Sequence, residues 1–239
     1  MPTARFKFLP DLNRFLAPNQ RTGAVVYTFD AGQSVKHLVE AAGVPHTEVG
    51  QIQVNQLPAG FDYLVQEGDC IVVSPPAPGE GLPPGGARFI LDNHLGRLAA
   101  YLRMLGFDGL YRNDLQDEEL AQISGAEERI LLTRDRRLLM RRTVRYGYCL
   151  RSLVTREQVG EVLRRYSLAG EIKPFRRCLR CNAPLEPVSK EAVLDRLEPL
   201  TRLYYDEFHR CQACGQIYWK GSHYEHMQTL IEQIRGGSG

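Results

Sequence analysis

The 239-residue chain is 43% hydrophobic and 24% charged, a balance that supports packed cores and excludes fibrous, collagenous and disordered classes. A mass of 27.1 kDa leaves room for one large domain or two to three small ones. The formal net charge of +2, from 30 Lys plus Arg against 28 Asp plus Glu, points by itself to no nucleic-acid, membrane or acidic partner.

From the N-terminus, Ala4 to Leu9 alternates Phe6 and Phe8 with Arg5 and Lys7, and Ala24 to Phe29 is a second β-rich run, so two strands are expected. Ser34 caps a helix with Val35, Leu38, Val39 and Ala42 on one face, stopped by Gly43 and Pro45. Gln51 to Val54 and Cys70 to Val73 supply further strands. This β-β-α-β-β order, closing on Glu67-Gly68-Asp69-Cys70-Ile71-Val72-Val73, resembles the ubiquitin-like β-grasp domains of the sulfur-carrier type. Such carriers act through a diglycine at a free C-terminus. Here Gly85-Gly86 is internal and Gly236-Gly237 is followed by Ser238-Gly239, so a module for a protein partner is expected rather than a conjugated carrier.

The densest punctuation is Ser74 to Gly86, a Pro/Gly run that continues neither a helix nor a central strand and reads as an extended linker. A second boundary falls near Leu168-Ala169-Gly170. The expected modules are a β-grasp domain at 1–74, a linker at 75–86, an α/β core at 87–170 and a metal-binding module at 171–239. Counted over 1–86, 87–172 and 173–239, the charge balances are −3, +3 and +2, so the near-neutral total averages an acidic N-terminal segment against a basic remainder.

From Ala87 the pattern becomes alternating strand and helix, the signature of a parallel sheet with helices on its faces. Arg88-Phe89-Ile90-Leu91 is a strand. Leu95, Leu98, Ala99, Leu102 and Leu105 follow at helical spacing up to Gly106. A strand near Leu110-Tyr111, a helix from Asp117, a strand Arg129 to Thr133, a helix Arg136 to Arg142, a strand around Tyr148 to Val154 and a helix Thr155 to Tyr166 complete the series. In open parallel sheets functional groups collect at the carboxyl ends of strands. Asp92 and Asp135 stand at such ends, and Asp117-Glu118-Glu119 opens the helix between them. Acids converging on one edge repel unless a divalent cation sits among them, and oxygen donors suit Mg²⁺ or Mn²⁺. Each acid also has a structural reading. Asp117 to Glu119 complement a helix dipole, with Asp114 and Asp117 as a capping pair; Asp92 caps the next helix; Asp135 pairs with Arg134 or Arg136.

Four of the six cysteines form two pairs, Cys178-Leu179-Arg180-Cys181 and Cys211-Gln212-Ala213-Cys214. Each pair grips one tetrahedral Zn²⁺ from a tight turn, and four sulfur ligands leave no open catalytic position, so a structural zinc ribbon is expected. Cys70 and Cys149, in apolar runs, read as buried thiols. This cysteine usage fits a reducing compartment, and no run approaches the ~18 apolar residues of a membrane span, so a cytoplasmic protein without a membrane partner is expected.

Phe89-Ile90-Leu91-Asp92-Asn93-His94-Leu95-Gly96-Arg97-Leu98-Ala99, Leu102-Arg103-Met104-Leu105-Gly106-Phe107-Asp108, Asp117-Glu118-Glu119-Leu120 and Arg129-Ile130-Leu131-Leu132-Thr133-Arg134-Asp135 together resemble the mut-seven C-terminal ribonuclease domain. Members of that PIN-like family carry a zinc ribbon after the nuclease core and often a ubiquitin-like domain before it. The resemblance implies a PIN-like α/β fold and an acidic metal site at Asp92, Asp117 or Glu118, and Asp135, with metal-assisted hydrolysis of RNA phosphodiester bonds. Asn93-His94 departs from the small residue and Met that the family pattern places there.

Arg134, Arg136, Arg137, Arg141, Arg142 and Arg145 flank Asp135, and Arg164, Arg165, Lys173, Arg176, Arg177 and Arg180 extend the basic stretch toward the cysteines. Read functionally, Asn93 and these arginines hold RNA phosphates; read structurally, they are solvated helix faces. Tyr218-Trp219-Lys220 mixes aromatic and basic groups that either contact RNA or pack a core. The leading expectation is a metal-dependent ribonuclease. Its rivals are a non-catalytic RNA-binding adaptor whose β-grasp domain recruits a protein, and a carrier that uses Gly236-Gly237.

Overall fold

The computed structural model describes residues 1–221 together with 224, 228, 229 and 232. Gly236-Gly237 and the histidines at 223 and 226 lie outside the described residues. In chain order the elements are β1 Thr3–Phe8, β2 Val25–Thr28, α1 Val35–Ala41, β3 Ile52–Val54, β4 Leu57–Ala59, β5 Cys70–Val73, β6 Arg88–Leu91, α2 Gly96–Met104, β7 Asp108–Leu110, α3 Asp117–Ala126, β8 Ile130–Thr133, α4 Arg136–Leu139, β9 Gly147–Cys149, α5 Thr155–Arg165, β10 Leu185–Val188, α6 Pro199–Tyr204, β11 Phe208–Cys211 and β12 Ile217–Trp219. They fall into two units, residues 1–86 with 116–150 and residues 87–115 with 151–239.

In the first unit the alternation of β1 buries Ala4, Phe6 and Phe8 and leaves Arg5 and Lys7 in solvent. β1 pairs antiparallel with β2 and parallel with β5, giving a five-stranded sheet in the order β2-β1-β5-β3-β4. That mixed sheet with α1 is a β-grasp arrangement. The expected cap of α1 is present, Ser34 Oγ accepting from the His37 N–H at 3.3 Å. β4 was not expected from the sequence. It returns on β3 through Asn55-Gln56, both at positive φ (51° and 71°), a two-residue turn that usually announces itself with Asn-Gly.

The same unit holds α3, β8, α4 and β9. All four residues of β8 are buried, and β9 runs parallel to it with Leu132 opposite Tyr148. Leu131 N–H bonds to Tyr146 and Leu150 N–H to Thr133, so the even residues of β9 face β8 and Cys149 turns its N–H and C=O outward. The N-terminal segment covers that edge. Glu48, 4% exposed, accepts the Cys149 N–H at 2.6 Å, and Arg14 donates to the Cys149 carbonyl at 2.8 Å. Arg14 and Glu48 also pair with each other at 3.3 Å, so the two side chains satisfy the edge as a neighbouring strand would. His46 at 2.7 Å from the Val144 carbonyl and Arg136 at 2.8 Å from the Phe15 carbonyl extend the seam.

Residues 74–86 do not run extended. Ala77-Pro78-Gly79-Glu80 closes a turn with Gly79 at φ 88°, and Pro83 to Gly86 closes another. Pro fixes the second position of each turn, which is why the Pro/Gly run folds into turns here.

In the second unit β6 and β7 pair parallel. α2 buries Leu98, Ala99 and Leu102 as its periodicity requires, with Leu95 and Leu105 buried at its ends. Gly106 ends it at φ 97°, where an added Cβ would stand 2.0 Å from the Lys173 carbonyl oxygen, so only glycine fits. Downstream, β10-β11-β12 form a three-stranded antiparallel sheet over a small core of Val193, Leu197, Phe208 and Ile217. The central strand pairs are thus parallel, as a PIN-like core requires. The expected helix Arg136 to Arg142 is shorter, ending at Leu139 where the chain bends to bury Val144.

Candidate functional site

The four paired cysteines converge. Their sulfurs lie within 4.8 Å of one another, with Cys178 to Cys214 at 3.6 Å and Cys181 to Cys211 at 3.4 Å. A disulfide needs about 2.05 Å. Tetrahedral Zn–S bonds of about 2.3 Å put sulfurs roughly 3.8 Å apart, so the donor set and its spacing fit a structural zinc. The Tyr218 hydroxyl, 3.2 Å from Cys178 Sγ, also accepts the Leu179 N–H at 3.1 Å. Burial raises the Cys178 thiol pKa, but the Tyr218 hydroxyl and the Cys181 and Arg180 N–H groups outweigh it and lower the thiol toward the metal-binding thiolate. Burial and the adjoining Cys178 push the Tyr218 hydroxyl up, which keeps it a donor. Among the described residues, these cysteines are the set of His, Cys, Asp and Glu side chains whose ligand atoms gather this closely.

A clamp not foreseen from the sequence ties this turn to β7. Arg103, on α2 and only 5% exposed, donates to the carbonyls of Gly109 at 2.8 Å, Leu179 at 2.9 Å and Arg180 at 3.1 Å. Asn182, at φ 65° directly after the turn, donates to Asp108 at 2.7 Å and accepts the Gly109 N–H at 3.0 Å. Burial lowers the Arg103 pKa while the nearby Cys178 and Cys181 raise it, so the guanidinium offsets the charge of the sulfur cluster.

The proposed acids divide between the units, Asp92 in one and Asp117, Glu118 and Asp135 in the other. Asp92 follows β6 directly and is buried at 6% exposure. Its Oδ1 accepts the Asn93 N–H at 2.7 Å, with His94 Nδ1 at 3.5 Å. Asp135 is exposed and caps α4, accepting the Arg137 N–H at 2.7 Å, while its own N–H donates to the buried Thr133 hydroxyl at 2.9 Å. The cap of α3 is Gln116 with Glu119 rather than Asp114 with Asp117. Asp114 instead pairs with Arg112 at 2.6 Å. Glu118 is ion-paired to Arg141 and accepts from Gln122 at 3.1 Å.

Among the proposed RNA contacts, Arg134, Arg137, Arg142 and Arg176 are exposed. Arg136 is engaged with Phe15, Arg141 with Glu118, and Arg177 with Asp108 at 3.6 Å and the Asn182 carbonyl at 3.2 Å. Asn93 is exposed, its carbonyl accepting from the Tyr111 hydroxyl at 2.7 Å. Cys149 is buried as expected, whereas Cys70 is half-buried beside the Arg5 guanidinium at 3.1 Å.

Fold and site together define an α/β protein with parallel central strands, a β-grasp region before them and a four-cysteine cluster fit to hold a metal after them. The Mut7-C RNAse domain family matches residues 87–231 and the Mut7-C ubiquitin family matches residues 1–78. The chain belongs to the Mut7-C RNAse domain family. Comparison with curated proteins found no match. Among solved structures, a putative molybdopterin converting factor subunit 1 from Pyrococcus furiosus is 16% identical, with 32% of this chain and 100% of that chain covered and a TM-score of 0.27. The H. volcanii small archaeal modifier protein 1 is 17% identical over the same shares, with a TM-score of 0.26. Among the described residues no helix is long and apolar enough to cross a membrane.

Proposed function

We propose that this chain is a divalent-metal-dependent ribonuclease that hydrolyses RNA phosphodiester bonds. Asp92, Asp117, Glu118 and Asp135 are its acidic residues, and Cys178, Cys181, Cys211 and Cys214 hold a structural Zn²⁺. The reading is carried by the family match over 87–231. It is supported by two aspartates that each close a buried parallel strand. An all-carboxylate donor set suits Mg²⁺ or Mn²⁺, which when bound supplies a water of lowered pKa and stabilises charge developing on phosphate.

The chain's own contribution is orientation. The Asn93 N–H fixes the buried Asp92 carboxylate, and the Arg137 N–H with the Thr133 hydroxyl fixes Asp135, so neither side chain has to be ordered when a cation arrives. Glu118 already has Arg141 and Gln122 as partners, which favours Asp117 of the two as ligand. The exposed Arg134, Arg137, Arg142 and Arg176 are the proposed phosphate contacts. The reading includes a PIN-like core at 87–170 with helices on both faces of its sheet, modules at 1–74 and 171–239 joined by residues 75–86, a cytoplasmic location, and a protein partner for the β-grasp region.

The test is cleavage of single-stranded RNA with Mn²⁺ or Mg²⁺ by the wild type and by Asp92→Asn and Asp135→Asn. Each variant is expected to lose cleavage about 100-fold or more, with unchanged circular dichroism and zinc content. Equal rates in all three proteins would remove the acidic-site assignment. RNA binding that survives chelation of Mg²⁺ and Mn²⁺ and never leads to cleavage would favour the adaptor.

A further inference from the structure

A cavity of about 70 Å³ opens beside the zinc ribbon, between Met104 of α2, Phe175, Arg177, Tyr218, Trp219 and Tyr224. Neither the sulfur cluster nor the acids account for it. Cofactor pockets run to about 300–1,000 Å³, so this slot is too small for a cofactor and is scaled to the edge of one planar ring. Its wall is built with some strain. Phe175 is held at φ 60°, a left-handed conformation that bulky residues rarely adopt, and its ring is fixed by stacking on His209 (4.9 Å, 18°) and by Tyr224 (5.2 Å, 36°). The Tyr218 hydroxyl is already committed to Cys178 and Leu179, so what Tyr218 offers the slot is its ring.

Charge identifies the occupant. Arg177 lines the slot, and Lys173 and Arg176 on either side of Pro174-Phe175 are exposed, as is Arg180. Three carboxylates of the same unit are paired, Asp108 with Arg177 at 3.6 Å, Glu207 with Lys220 and Glu186 with Arg210. An aromatic slot rimmed by cations is the chemistry that holds an unstacked base by its face and the adjoining phosphates by charge. We propose that this slot receives one nucleobase of a single-stranded RNA, with the flanking phosphates on Lys173 and Arg176. The choice of RNA over other polyanions rests on the ribonuclease reading.

The only tryptophan in the chain, Trp219, lines the slot, so its fluorescence reports occupancy. The experiment titrates full-length zinc-loaded protein, without Mg²⁺ or Mn²⁺, with a short single-stranded oligoribonucleotide and with an abasic strand of equal length. The RNA is expected to quench Trp219 saturably and the abasic strand to leave it unchanged. Phe175→Ala and Tyr224→Ala, each checked for fold and zinc content, are expected to weaken RNA binding about 5- to 150-fold, the loss of one base stack. RNA binding without quenching, equal quenching by the abasic strand, or quenching by an aromatic peptide and not by RNA would each overturn the proposal. Failure of the slot with intact Mn²⁺-dependent cleavage would leave the ribonuclease reading standing. Quenching by RNA without any cleavage would do the reverse.

Discussion

Cys149 is held by its backbone, so its side chain is free to contribute separately. Glu48 and Arg14 take its N–H and C=O, while burial, with smaller contributions from neighbouring charges, pushes the thiol up to about 11 from an ordinary 9.0. The folded protein therefore prefers the neutral thiol more strongly than the unfolded chain does. That preference is fully present below pH 9 and is lost as pH rises toward 11. The urea midpoint of the wild type should fall across that window more steeply than that of Cys149→Ala, which keeps both backbone bonds and has nothing to ionise. Parallel slopes for the two proteins would show that the thiol stays neutral throughout, or ionises equally in both states.

At the scale of elements, the cysteine turn is positioned by the helix and strand it rests on. Arg103 serves three carbonyls from a buried position, and Asn182 locks both Asp108 and Gly109 of β7. Arg103→Met keeps the volume and strands those carbonyls, at a cost of about 3 kcal/mol. Its expected signature is faster release of zinc to a colorimetric chelator, with Asn182→Ala moving in the same direction. Zinc loss at the wild-type rate in both variants would show that the turn is set by its ligands alone. Elements defined by local pattern were legible in the sequence. α2 carries its apolar stripe, β1 its alternation, and each cysteine pair its ligand spacing. What escaped depends on distant partners. Arg103 meets Leu179 and Arg180 across 76 and 77 positions, and β4 hides because Asn55-Gln56 lacks the usual glycine. The slot draws on Met104, Phe175, Arg177, Tyr218, Trp219 and Tyr224, which no local pattern connects. Of the proposed acids, the buried strand ends were readable at Asp92 and Asp135. That Arg141 engages Glu118 was not, since the pair spans 23 positions.

For the molecule as a whole, the near-neutral charge conceals an acidic N-terminal segment that does more than offset the basic remainder. It supplies the buried carboxylate that closes the outer edge of β9, and residues 1–86 share one compact unit with 116–150. An open strand edge is an invitation to pair with another chain, so the β-grasp region protects the strand as well as offering a surface of its own. Glu48 is the residue on which this depends, because it meets both the Cys149 N–H and the Arg14 guanidinium. Glu48→Ala leaves a buried N–H without its acceptor and a half-buried cation without its carboxylate, an expected loss of about 2–3 kcal/mol. The partial exposure of Arg14 places the cost below that of a fully buried pair. In urea, the full-length variant should melt at a lower midpoint, and circular dichroism should report loss of the first unit in a single step. A wild-type-like midpoint would mean that water replaces the carboxylate at no cost. A separate early transition confined to residues 1–74 would mean that the seam does not couple the β-grasp region to β8 and β9.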